Sequence, residues 1–161
     1  MKYARLTKEQ LEELQVEFTN FLASQQIDKK EWDLLKKNKP EVAEQEIDIF
    51  SDLVWEGVLK SANYIEHFSK NHIFLFQFDD KNIDTIVLKS LNPDIDFLQK
   101  EGLEWLSDHI LTNDVEIRYG AKEFGADRNG ELFEIIQQGG ILSQGDLYHQ
   151  IKGLIINKDV Q

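Results

Sequence analysis

The order of apolar and charged residues from 40 to 60 predicts one long helix with two chemically different sides. At about 100° per residue, five carboxylates fall on one side within roughly 120°. They are Glu41, Glu44, Asp48, Asp52 and Glu56. The apolar positions fall on the other side, and they are Val42, Ile47, Ile49, Phe50, Leu53, Val54 and Val58. Trp55 is predicted to project beside the carboxylates, and we call these six side chains (the five carboxylates and Trp55) the acidic face. Phe50 and Leu53 are predicted to be buried.

Two helices are predicted to precede the acidic one. Thr7 with Gln10, and Asp28 with Glu31, have the spacing of a capping box, in which two side chains satisfy the first free amides of a helix. An apolar stripe follows the first box, and its members are Leu11, Leu14, Phe18, Phe21 and Leu22. Pro40 ends the second helix and suits the first turn of the third.

The middle of the chain changes to the pattern of strands. Short segments rich in aromatic and β-branched residues are separated by polar turns, and they cover residues 64–68, 72–78 and 83–88. A three-stranded antiparallel meander follows from this spacing. Residues 115–119 alternate apolar with charged side chains, which predicts a fourth strand.

Helices are predicted around and after the fourth strand. Asp96 with Gln99 and Ser143 with Asp146 have helix-start spacing, and residues 131–138 form a short helix before a Gly-Gly turn. The fold class is therefore α+β, with N-terminal helices, a small antiparallel β-meander and C-terminal helices. We expect a single domain over 1–161, with a helical part (1–60), a sheet with one helix (61–124) and C-terminal helices (125–161).

Composition narrows the classes of function. The 161 residues include 17 aromatic side chains and no cysteine, which suits a packed core and excludes disulfides and thiolate chemistry. No apolar run approaches the ~20 residues of a membrane span, and the first residues lack the apolar stretch of a secretory signal. We therefore expect a cytoplasmic protein with no membrane partner. The net charge of -12 disfavours phosphate backbones, so we expect no direct nucleic-acid partner.

Three segments resemble an uncharacterised bacterial protein family of unknown function. They read MKYARLTKEQLEEL, KPEVAEQEIDIFSDLVWEGVL and YIEHFSKN in this chain. The resemblance runs along most of the chain and weakens after about Gly120. It implies a small cytoplasmic bacterial protein, and it supplies no activity, cofactor or catalytic residue.

Candidate chemistry is sparse. Glu46 falls within the apolar side of the acidic helix, and His67 and His72 are predicted to share a face of the sheet. The two histidines lack a third ligand at a recognised spacing. No phosphate-binding, nucleophile-elbow or complete calcium-loop motif occurs. We therefore expect no catalytic residue, no metal site and no cofactor.

The leading hypothesis is a non-enzymatic acidic interaction protein. It would dock a basic partner protein through helix 40–60, with the acidic face as the binding surface. The alternative is a small ligand-binding or enzymatic domain with a pocket near Glu46, His67 and His72.

Overall fold

The computed structural model describes the backbone of residues 1–160 and the side chains of residues 1–156. The chain divides into two compact units, Met1–Lys60 and Ser61–Gln161. The α+β class is confirmed, with helices in the first unit and a sheet with helices in the second. None of the helices in the described part of the chain is long and apolar enough to cross a membrane.

The first unit is built from four helices. They are α1 (Lys8–Glu13), α2 (Gln15–Ser24), α3 (Lys29–Asn38) and α4 (Pro40–Ser61). Both predicted capping boxes are confirmed, at Thr7 with Gln10 and at Asp28 with Glu31. The single helix predicted after Thr7 is wrong in one respect. The chain leaves helical geometry at Leu14 (φ -99, ψ 26), which separates α1 from α2.

Aromatic rings form the core of the first unit. The ring of Phe50 lies 5.0 Å from that of Phe18 and 5.4 Å from that of Phe21, and Trp32 meets Phe18 edge-on at 5.3 Å. Phe50 is 4% exposed, as predicted, whereas Leu53 is 56% exposed and its predicted burial is wrong. The buried side of α4 is rotated away from Leu53, and fully buried Ser51 belongs to that side.

A five-stranded antiparallel sheet forms the frame of the second unit. Its strands are β1 (Tyr64–Phe68), β2 (His72–Phe78), β3 (Asn82–Ser90), β4 (Val115–Glu123) and β5 (Ile141–Leu142), in the order β4-β3-β2-β1-β5. The predicted meander is confirmed, and the fourth strand is longer than predicted. The sequence pattern missed β5, because two residues beside a Gly-Gly turn are too few to show alternation.

Three helices accompany the sheet, and they are α5 (Lys100–His109), α6 (Arg128–Gln137) and α7 (Asp146–Val160). One sheet face packs into the main core together with side chains from α5, α7 and the segment before α5. This core consists of Ile73, Leu75, Ile86, Leu88, Phe97, Leu106, Ile110, Val115, Tyr148 and Ile151. We call this face the core face.

Two predicted helix starts are corrected. Asp96 lies outside α5, whose N-cap is Gln99, and the Asp96 carboxylate accepts the Leu98 amide instead. The Ser143 hydroxyl accepts the amide of Gly145 ahead of α7. Both polar side chains therefore close local turns, which compete with helix capping for the same side-chain oxygens.

The different burial of two apolar residues on α4 gives a stability test. Phe50→Ala removes a ring packed against two others, so we expect the free energy of unfolding to fall by about 3–5 kcal/mol. Leu53→Ala changes an exposed side chain and is expected to cost less than about 0.5 kcal/mol. Urea unfolding of the two variants measures both effects, and equal losses would contradict this packing.

Candidate functional site

The acidic face of α4 is lined by the first six residues of the chain, Met1 to Leu6, which we call the N-terminal segment. The Arg5 guanidinium contacts two of the carboxylates. Its Nη1 donates to the Glu44 carboxylate, and its Nε donates to Asp48 Oδ1 at 2.6 Å. Because Glu44 and Asp48 are one helical turn apart, a single planar fork reaches both carboxylates.

The next carboxylates along α4 hold the start of the N-terminal segment. Asp52 accepts two consecutive main-chain amides, from Lys2 at 2.7 Å and from Tyr3 at 2.9 Å. Glu56 accepts the Tyr3 hydroxyl, and the Lys2 ammonium lies 3.8 Å from its carboxylate. Asp52 therefore contacts the backbone, whereas Glu56 contacts side chains.

Two polar side chains of α4 bind the other end of the segment. The indole Nε1 of Trp55 donates to the Ala4 carbonyl at 3.1 Å, and Trp55 is half-buried rather than exposed. The Leu6 amide donates to the Ser51 hydroxyl at 3.1 Å, and that hydroxyl donates to the Ile47 carbonyl at 2.7 Å. These bonds satisfy a buried serine and leave main-chain groups of the segment paired.

The N-terminal segment runs antiparallel to α4. Lys2 lies at Asp52, and Arg5 lies at Glu44. Three residues of extended chain span about 10 Å, and the eight residue steps along the helix from Glu44 to Asp52 rise about 12 Å. The spacing of an extended peptide therefore matches that of carboxylates one helical turn apart. Each successive turn of α4 meets the next one or two residues of the peptide.

Charge on the acidic face is only partly balanced by the N-terminal segment. The five carboxylates meet two cationic side chains, Lys2 and Arg5, and Glu41 remains exposed beyond them. The ion pair with Arg5 lowers the pKa of Asp48. Its bonds to Asp48 and Glu44 raise the pKa of Arg5.

The other residues singled out from the sequence have separate partners. Glu46 is half-buried and accepts a hydrogen bond from the Gln25 amide at 2.8 Å. His67 and His72 share a sheet face, as predicted, and both rings stack on Phe74, at 5.7 and 5.8 Å. Within the described residues, no three histidine or carboxylate side chains are grouped to hold a metal ion.

A polar row on the core face was missed by the sequence reasoning. Tyr64, Gln77 and Asp84 lie directly opposite one another on β1, β2 and β3. The Gln77 amide donates to the Tyr64 hydroxyl at 3.1 Å, and this hydroxyl lies 2.7 Å from Nε2 of His149. The Tyr64 hydroxyl therefore lies between an amide donor and an imidazole nitrogen.

Tyr148 adds a buried hydroxyl to this row. The residue is 1% exposed, and its hydroxyl has no hydrogen-bond partner within the described part of the chain. Burial, together with the nearby charge of Asp84, raises the pKa of Tyr148 to about 12. The neighbouring polar space, of about 210 Å³, is lined by Gln77, Phe78, Asp79, Asn82 and Asp84. We call Tyr64, Gln77, Asp84, Tyr148 and His149 the tyrosine cluster.

Comparison with known proteins gives a family for this chain. Residues 1–156 match a family of unknown function, DUF6495. The chain belongs to this family. No curated protein and no solved structure matches it. The sequence resemblance to an uncharacterised family is therefore confirmed.

The ion pair between Arg5 and Asp48 predicts how docking of the N-terminal segment depends on pH. Docking lowers the pKa of Asp48 below its ordinary value of 3.8, so the docked state gains full stabilisation above that value. The stabilisation is lost as the pH falls through the lowered value. We expect the indole N–H resonance of Trp55 to shift in this acid range, because its bond to Ala4 opens.

Asp48→Asn provides the control for the acid titration. The amide keeps the shape of the carboxylate but has no charge to titrate, so the shift of the Trp55 resonance in this pH range is expected to shrink. An unchanged titration in Asp48→Asn would show that another group governs release of the N-terminal segment.

Proposed function

We propose that this DUF6495 protein is a non-enzymatic interaction protein of the bacterial cytoplasm that docks a basic partner protein through the acidic face of α4. One observation carries the proposal, namely the mode in which the face holds the chain's own N-terminal segment. An arginine bridges Glu44 and Asp48, and Asp52 takes two backbone amides. A partner segment that is extended and carries an arginine or lysine has the matching chemistry.

The proposed mechanism is exchange between two segments of similar chemistry. The N-terminal segment is tethered, so it competes for the acidic face at an effective concentration on the order of millimolar. Its ion pairs are largely solvent-exposed, with side-chain exposures of 30% to 56% at Arg5, Glu44 and Asp48. Exposed pairs contribute little each. A partner with more cationic side chains can therefore displace the segment and also reach Glu41.

A synthetic peptide with the sequence of residues 1–6 tests this mode of binding. We expect a fluorescent form of the peptide to bind the Arg5→Glu variant, whose own segment is released, and to bind the unaltered protein weakly. Binding is measured by fluorescence anisotropy. It is expected to weaken steeply with ionic strength, because exposed charge pairs are screened by salt.

Matched charge changes identify the binding surface. Adding Asp48→Lys and Asp52→Lys to the Arg5→Glu variant is expected to abolish peptide binding. Adding Glu9→Lys and Glu12→Lys changes the net charge equally on exposed positions of α1 and is expected to leave binding largely intact. Equal binding by the two triple variants would reject the acidic face as the site.

A second candidate function is binding of a small organic cation at the tyrosine cluster. The Tyr148 hydroxyl favours it, because this buried group has no hydrogen-bond partner within residues 1–156, and such a group is rare and marks a site that a ligand or water can complete. Asp84 supplies negative charge beside aromatic rings, which together suit an ammonium group. The pocket predicted near Glu46, His67 and His72 stays a prediction.

Tyr148→Phe tests whether the Tyr148 hydroxyl lacks a hydrogen-bond partner in the protein without a ligand. Removing an unsatisfied buried hydroxyl is expected to leave the free energy of unfolding unchanged or to raise it by about 1 kcal/mol. Tyr64→Phe breaks the bonds with Gln77 and His149 and is expected to lower the free energy of unfolding.

Thermal unfolding in the presence of small primary amines measures binding at the tyrosine cluster. We expect amines to stabilise the unaltered protein and to lose this effect in Asp84→Asn, and no stabilisation by any amine would reject the candidate.

A further inference from the structure

Strand β4 forms one edge of the sheet, and it is long and open. Among the described strands it pairs with β3 alone, and its nine residues run from Val115 to Glu123. Every residue from 118 to 123 is exposed, and Tyr119 is 55% exposed. The opposite edge is β5, which has two residues. An edge strand of this length offers a row of backbone groups to a further strand.

The side chains of β4 are self-complementary about Tyr119. Glu116 and Lys122 each lie three residues from Tyr119, on opposite sides of it, and both point to the face opposite the core face. In an antiparallel pair of two β4 strands centred on Tyr119, Glu116 of each copy therefore lies opposite Lys122 of the other. Opposite charges in directly facing positions stabilise a strand pair.

The same register suits the three central positions. Tyr119 of one copy faces Tyr119 of the other on the core face, which allows the rings to pack. Arg118 faces Gly120, where a Cβ would meet no atom within 4 Å, so the long arginine side chain has room. The register also pairs all nine residues of β4.

Other registers are less favourable. In an antiparallel pair, directly opposite side chains point to the same face of the sheet. Two identical strands related by a two-fold axis therefore have one residue that lies directly opposite its own copy, and the axis passes between these two copies. An axis beside Arg118 places two arginines opposite each other, and an axis beside Gly120 places Arg118 opposite Lys122. An axis beside Ile117 or Ala121 leaves four of the nine residues unpaired. Charge and length together select Tyr119.

We propose that the open edge of β4 binds the β4 strand of a second copy of this chain, in an antiparallel pair centred on Tyr119. The dimer has a continuous ten-stranded sheet with two Glu116–Lys122 ion pairs between copies. Within one copy, Glu116 bonds to Arg118 at 2.6 Å and Lys122 lies 3.3 Å from Glu131. These are surface ion pairs that each contribute little to stability. The Glu116 carboxylate and the Lys122 ammonium can therefore also pair with each other across the new interface.

Charge reversal on the full chain tests the register. We expect the unaltered protein to sediment as a concentration-dependent dimer in analytical ultracentrifugation at physiological salt, where charges beyond about 8 Å are screened. Glu116→Lys or Lys122→Glu alone turns two attractive pairs into two repulsive ones. Each is expected to weaken dimerisation roughly tenfold or more.

The decisive measurement is a mixture of the two single variants. A heterodimer of Glu116→Lys with Lys122→Glu has lysine opposite glutamate at both pairs, so mixing is expected to recover the affinity that each variant alone has lost. When one variant is uniformly labelled with nitrogen-15, native mass spectrometry distinguishes the heterodimer by its intermediate mass. Loss of a fold contact within one chain cannot produce this recovery.

Charge changes outside β4 serve as controls for the two reversals. Glu13→Lys and Lys81→Glu make the same charge changes at exposed positions outside β4, and both are expected to dimerise like the unaltered protein. Glu116→Gln and Lys122→Gln remove the charges without repulsion and are expected to show intermediate losses. A protein that stays monomeric at the highest attainable concentration would overturn the proposal. So would a dimer that is indifferent to both reversals, or a mixture without recovery.

Discussion

A column of four carboxylates on α4 is the constraint on which the first unit depends. Glu44, Asp48, Asp52 and Glu56 follow one another at intervals of four residues, so each lies above the next on the helix surface. Neighbouring like charges at this spacing destabilise a helix by about 0.2–0.5 kcal/mol per pair. The N-terminal segment relieves this repulsion, because Arg5 joins the first two carboxylates and backbone amides bind the third. A strongly charged helix face therefore becomes a specific recognition surface for an extended chain.

This arrangement also explains which side of α4 is buried. Ser51 is fully buried because its hydroxyl links the Leu6 amide to a carbonyl of its own helix, and Leu6 is itself 7% exposed. Covering this side rotates the buried sector away from Leu53, which remains exposed. One side of α4 is therefore covered by hydrogen bonds with the N-terminal segment. Another side is covered by the aromatic rings that pack around Phe50.

In the second unit, one sheet presents two different kinds of candidate surface. Its core face is apolar in the middle and becomes polar at Tyr64, Gln77 and Asp84, where the buried Tyr148 hydroxyl has no hydrogen-bond partner among the described residues. Its β4 edge is exposed from Arg118 to Glu123, and on one face it carries Glu116 near one end and Lys122 near the other. The first surface suits a small ligand and the second suits another strand. Both surfaces belong to one sheet, because the pairing of its strands places residues from distant parts of the sequence side by side.

Much of the local structure of this protein follows from interactions between neighbouring residues in the sequence. Both capping boxes, the α4 helix, the period-two strands and the turns between them follow from interactions among residues a few positions apart, and the structure confirms them. The break at Leu14 and the two-residue β5 escaped prediction, because each depends on packing that a short pattern does not encode. What covers the acidic face depends on tertiary packing, since Arg5 and Asp48 are separated by 43 residues. It also brought Tyr64 to His149 across 85 residues. Contacts over such separations depend on how the elements pack, and no local spacing specifies them.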